Sequence, residues 1–145
     1  MNGDSSTILW RLALSSSPQC VYQLLTTEQG RSRFWARSAP QSQGRIHFTF
    51  PNGERLESEI LDSQPGRRFV ITYFGGSKVE FLLESDGDGG CVLTLRETGL
   101  SESDARLNAP GWVSVLLNLK ACADHNLDLR NHHSDRTWDQ GFVDN

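Results

Sequence analysis

Apolar residues along this chain alternate first, then turn helical, then alternate again. Ile8, Trp10, Leu12 and Leu14 recur at every second position, so Ser5 to Ala13 reads as a strand with one buried face. Ser15-Ser16-Ser17-Pro18 stops it; Ser17 can cap a helix with Pro18 at its first position, where the missing N–H does no harm. The spacing predicts a helix from Gln19 to about Thr26 with Val21, Leu24 and Leu25 on its apolar face. A second short helix follows from Glu28 to Ala36 and ends in the pair Phe34-Trp35.

Strand signals then run without interruption. Ile46, Phe48 and Phe50 alternate with His47 and Thr49, and Pro51-Asn52-Gly53 is a hairpin turn. Leu56, Ser58 and Ile60 alternate with Glu57 and Glu59. Pro65-Gly66 turns the chain, and Phe69 to Phe74 is apolar enough for a central strand. Gly75-Gly76 turns again, Val79, Phe81 and Leu83 alternate with Glu80 and Glu84, and Asp86 to Gly90 forms a loop before a last strand, Cys91 to Glu97. Strands joined by short turns make an antiparallel meander. The final regular element is a long helix from Pro110 to about Leu129. Its stripe is Trp112, Leu116, Leu119, Ala123 and Leu127, at i, i+4, i+7, i+11 and i+15.

This order predicts an α+β helix-grip fold: a curved antiparallel sheet of six to seven strands wrapped around one long C-terminal helix, with two short helices after the first strand. The whole chain, 1–145, reads as one domain, with 132–145 as a tail that packs back through Trp138, Phe142 and Val143. A twisted sheet of this size curls, and a single helix laid in its hollow leaves a space suited to a small apolar ligand.

Composition narrows the function. The net charge is -4 and the basic residues are scattered, which argues against nucleic acid. No run is long enough to span a membrane, and the polar stretch Met1 to Thr7 lacks the apolar core of a signal peptide, so a cytoplasmic protein is expected. Cys20, Cys91 and Cys122 are odd in number and widely spaced, as free thiols are. His125, His132 and His133 lack the spacing of a metal clamp, and no GxSxG, phosphate-loop or dinucleotide fingerprint is present. Neither metal nor cofactor is expected.

Several segments together carry a family resemblance. Gly111-Trp112 through Leu116-Leu117-Asn118-Leu119-Lys120, with Asp128-Leu129-Arg130 behind it, looks like the closing helix of the activator of heat shock protein 90 ATPase homologue-like proteins. Ser17-Pro18 through Tyr22 and Thr26 to Phe34-Trp35, Gly44 to Phe48, and Leu93 to Leu100 resemble further segments of that family, in which a His often stands at the place of Glu97. The family belongs to the START-like superfamily, also called SRPBCC or polyketide cyclase-like. The resemblance implies the same fold. It also implies one of several activities: lipid or polyketide binding, cyclisation, a stress-response function, or regulation of a chaperone ATPase.

The candidate site follows from the hollow. Glu97 shares a face with Leu93 and Leu95. It is either an anchor, acid or base inside the cavity or a solvated strand end paired with an Arg. Phe34, Trp35, Phe48, Phe50, Tyr73, Phe81, Leu95, Trp112, Leu116 and Leu119 are candidates for the cavity wall, each with a plain packing role as its alternative. The expected function is binding of a hydrophobic or aromatic small molecule. A cyclase- or hydrolase-type enzyme using Glu97, with Tyr73 or Ser58 opposite it, is the second expectation. A chaperone-regulating domain is the third, and self-association through the aromatic tail is a further possibility for a partner.

Overall fold

The computed structural model describes residues 5–145; Met1–Asp4, the start of the polar N-terminal stretch, lie outside the described residues. Seven strands form one antiparallel sheet: β1 (Ser6–Leu14), β2 (Gln41–Ser42), β3 (Arg45–Thr49), β4 (Arg55–Gln64), β5 (Arg68–Thr72), β6 (Lys78–Ser85) and β7 (Cys91–Leu100). Their order is β1-β7-β6-β5-β4-β3-β2, so the apolar segment around Phe69 does form the central strand, β5. Helices α1 (Pro18–Thr26) and α2 (Glu28–Phe34) follow β1, and α3 (Glu102–His125) lies across the inner face of the sheet. This is the helix-grip fold that the pattern predicts. Alternation sorts the two faces: Leu93, Leu95 and Glu97 of β7 are buried, whereas the outer face carries ion pairs such as Arg68 with Asp62 and Glu80.

The helix ends are set by local chemistry. The Ser17 hydroxyl accepts from the Cys20 N–H and caps α1; Thr27 does the same for α2 through the N–H of Gly30. The two helices meet closely at Gly30, where a Cβ would lie 2.4 Å from the Leu24 carbonyl oxygen.

The long helix differs from its predicted span. It starts at Glu102, capped by Ser101, so Pro110 sits inside it rather than at its first turn. An internal proline removes the hydrogen bond to the carbonyl four residues back. Here that carbonyl belongs to Arg106, in the largely exposed first half of α3, where water can take the donor's place. The helix stops at Asn126, whose backbone is left-handed at φ 53° and whose N–H closes on Ala121 and Cys122. Leu127 therefore falls off the stripe and is 56% exposed. β2 is a two-residue addition to the predicted strands, turned onto β3 through Gln43 and Gly44, both at positive φ.

Asp124 ties the end of α3 to the turn after β1. Its carboxylate accepts from the backbone N–H groups of Ser15 and Ser16, both at 3.0 Å, and from the Ser16 hydroxyl at 2.7 Å. Burial alone would push this carboxyl up, but the donors together hold it below its ordinary value. Beyond α3, Arg130 fastens the tail. It donates to the carbonyls of Ala36 at 3.0 Å and Ser32 at 2.8 Å, and it pairs with Asp128. Burial acts upward on Asp128 too, yet the Arg130 side chain and backbone and His132 bring it down to about 2.

Two predictions follow from these ties. Gly30→Ala should destabilise the fold by about 2–3 kcal/mol, because the new methyl meets backbone that cannot swing aside; a denaturation midpoint equal to wild type would show that α1 and α2 are not locked there. The carboxyl of Asp128 is depressed in the folded state, so its contribution is full above the unfolded value of about 3.9. That contribution is lost as pH falls toward about 2. Acid titration of stability should show a component over this window that Asp128→Asn removes, and identical acid profiles for the two proteins would refute it.

Candidate functional site

The inner face of the sheet and the buried face of α3 enclose a cluster of aromatic rings around one carboxyl group. Trp35, at the end of α2, is the hub: its ring centroid lies 4.8 Å from Phe48, 5.6 Å from Phe81, 5.9 Å from Trp112 and 6.2 Å from Tyr73. Tyr73 stacks on Trp112 at 4.9 Å, and Phe48 stacks on Phe50 at 5.3 Å. Phe34 stacks on Trp35 at 5.9 Å. The Trp35 indole N–H donates to the Tyr73 hydroxyl oxygen at 3.2 Å. Burial raises the Tyr73 phenol far above its ordinary range; the Trp35 donor opposes this and the nearby Glu97 adds to it.

Glu97 is fully buried in this cluster. Period-two alternation in β7 turns it inward with Leu93 and Leu95. One carboxyl oxygen accepts from the Trp112 indole N–H at 2.8 Å, and the other from the Ser77 hydroxyl at 2.6 Å. The Asn108 amide reaches both, at 3.4 and 3.5 Å. Asn108 and Trp112 stand one helical turn apart, so α3 presents both to the same point. Ser77 is aimed by the turn before β6, where Gly75 and Gly76 both take positive φ and the Tyr73 N–H donates to the Ser77 carbonyl at 2.9 Å. Among the described residues, the partners of Glu97 are neutral donors.

The structure brings all the candidate residues together: Phe34, Trp35, Phe48, Phe50, Tyr73, Phe81, Leu95, Glu97, Trp112, Leu116 and Leu119 are each at most 8% exposed. It does not leave the simple hollow that the element order suggests. The ring separations above are contact distances, so the rings themselves occupy the space between sheet and helix. Ser77 and Asn108 belong to the site and were not among the candidates. Asn108 becomes visible in the sequence once α3 is extended back past Pro110, through its i, i+4 spacing to Trp112. Ser58, on the inner face of β4, is buried with its hydroxyl unpartnered.

An open cleft lies elsewhere. It holds about 540 Å³ between α1, α2 and the end of α3, lined by residues that include Gln19, Gln23, Leu24, Arg33, Cys122 and Asn126, and none of the candidate residues faces it. Among the described residues no group of three or more His, Cys, Asp or Glu could hold a metal ion, and no helix is long and apolar enough to cross a membrane.

Known structures share this fold. The protein called Aha1 from Colwellia psychrerythraea, described as a dimer, superposes with a TM-score of 0.75 at 21% identity, covering 83% of this chain and 97% of its own. Protein SSP2350 from Staphylococcus saprophyticus gives 0.72 at 19% identity, covering 84% and 94%. CalU16 from Micromonospora echinospora gives 0.70 at 25% identity, covering 82% and 74%. No curated protein sequence matches the chain. The first two likenesses, at this identity, establish the fold alone. The sequence itself goes further: residues 15–124 match the family model described as Activator of Hsp90 ATPase homolog 1-like protein, a span from the α1 cap to the end of α3 that includes Glu97, Ser77, Asn108 and Trp112. The chain belongs to the Activator of Hsp90 ATPase homolog 1-like family.

Proposed function

We propose that this protein binds a small hydrophobic or aromatic molecule between the sheet and α3, with Glu97 as the polar anchor. The observation that supports this reading best is the carboxyl group itself. Taking such a group out of water is costly, and an apolar residue would pack between aromatic rings more cheaply. Glu97 is retained there with donors from the turn before β6 and from α3, and no cation among the described residues pairs with it. One of those donors is weakly placed: the Asn108 amide stands at 3.4–3.5 Å, so a ligand hydroxyl could supplant it without disturbing Ser77 or Trp112. The surrounding rings offer flat apolar faces for the rest of the ligand, and Tyr73, held as a neutral phenol, adds a hydroxyl.

Paired probes test the anchor. Wild-type protein should bind 2-naphthol roughly tenfold more tightly than 2-methoxynaphthalene, as expected for one added hydrogen bond to a carboxyl group. Glu97→Gln should erase that preference, since its amide nitrogen meets existing donors. Equal affinities for the two probes in the wild type would remove Glu97 from recognition.

A second reading has its own observation. Trp10 and Val113 are over a third exposed and Leu117 over half, along the seam where α3 lies on the edge strand β1. The similar Colwellia protein is described as a dimer. Self-association through this seam would cover apolar surface and a free strand edge together. Sedimentation should then show a dimer that Leu117→Glu dissociates, whereas a monomer at high micromolar concentration sinks this reading.

A further inference from the structure

The family match ends at residue 124, yet the chain continues over the domain in an ordered path. After Arg130 the backbone closes on itself. The Asn131 N–H donates to the Asp144 carbonyl at 2.7 Å, and the Asn131 amide donates to the Asp144 side chain at 3.1 Å. Residues 131–144 therefore form an Ω-loop, a compact unit whose ends meet, of the usual length of about 6–16 residues. Its interior is filled by its own groups and by the residue that follows it: Thr137 is buried and caps the short turn Trp138–Gln140, Gln140 answers it, and the Trp138 N–H donates to the Asn145 side chain at 3.1 Å.

The loop lies across the elements that carry the aromatic cluster. Trp138 packs against the buried core. The Asn52 amide, in the turn between β3 and β4, reaches the Asp139 carboxylate at 3.4 Å, and the Ser114 hydroxyl of α3 donates to the Val143 carbonyl. The loop thus bridges the β3–β4 turn, which follows Phe50, to the part of α3 just beyond Trp112. Its base, Arg130, is fixed to α2 beside Trp35.

The attachments are uneven. The base rests on a buried guanidinium with several partners, whereas among the described residues the body makes two single hydrogen bonds to the domain and packs one half-buried ring on its core. His132, at φ 59°, supplies a sharp bend where the loop leaves its base. A unit closed on itself, with a firm root and few outer contacts, can lift without unfolding the domain.

We propose that the Ω-loop 131–144 is a flap that closes the aromatic interior and lifts about Arg130 to admit the ligand. The inference rests on the binding reading above for what enters, but not for the motion itself. Rings in mutual contact and closed over at the rim are the expected resting state of such a device, and opening at the rim gives them room to part.

The test uses full-length protein and two variants. Trp138→Ala removes the flap's own ring from the core; Asn52→Ala removes the bond to Asp139, together with the Asn52–Glu54 bonds of the β3–β4 turn, without touching the core. The first readout is hydrogen exchange of the Trp112 indole N–H by NMR in ligand-free protein. It should quicken roughly tenfold in Trp138→Ala and measurably in Asn52→Ala, under conditions where amides of β6 and β7 exchange as in the wild type. The second readout is the association rate of 2-naphthol, which should rise in the same order. Faster indole exchange with no probe binding in any of the proteins would keep the flap and overturn the ligand reading. Unchanged indole exchange and unchanged association in both variants, with wild-type binding intact, would overturn the flap and leave the ligand reading standing. Indole exchange that quickens only together with the strand amides would also overturn the flap, since the variants would then act through global stability.

Discussion

A carboxyl group hidden from water constrains this whole architecture. Glu97 requires donors, and it takes them from two separate segments: Ser77 in the turn before β6, and one face of α3, where Asn108 and Trp112 stand on successive turns. The bonds fix where α3 lies over the sheet and how Trp112 is turned, and the Trp112 ring in turn positions Tyr73 and Trp35. Removing one partner from a buried hydrogen-bonded group leaves the others unsatisfied, which makes such a network stricter than apolar packing of the same volume. The aromatic rings supply the apolar surroundings of the site, and the carboxyl group selects one arrangement of them.

The fold was legible because alternation and helical spacing are strong in this chain. The central position of β5 followed from an unbroken apolar run, and the inward face of Glu97 from its parity with Leu93 and Leu95. The boundaries of α3 were not legible, for two physical reasons. Pro110 resembles a helix start, and only the tertiary setting, with its carbonyl partner lying in an exposed turn, lets the helix pass through it. Leu127 continues the periodic stripe, but Asn126 adopts the left-handed conformation and ends the helix before it. The late start hid Asn108. Ser77 was hidden because a small polar residue after Gly75-Gly76 looks like any turn, and its partner is distant in sequence.

The expected hollow is also instructive. Counting elements shows that one helix cannot fill a curled sheet, but it does not show what side chains do with the remainder. Here Trp35 lies under α3 in contact with Phe48, Phe81, Trp112 and Tyr73, and large rings take up the space that smaller residues would leave open. Binding at this place therefore has to move aromatic side chains. The open cleft between α1, α2 and the end of α3 makes no such demand, but it offers neither the carboxyl anchor nor the ring faces.

The indole N–H signals of the four tryptophans distinguish these two places directly. In a titration with 2-naphthol followed by heteronuclear NMR, occupancy of the interior should shift the Trp112 and Trp35 indole resonances, whose protons bond Glu97 and Tyr73, and leave Trp10, on the seam between β1 and α3, in place. Saturation with both of those signals unmoved, and with shifts confined to Gln19, Gln23 and Arg33 around the outer cleft, would contradict the account.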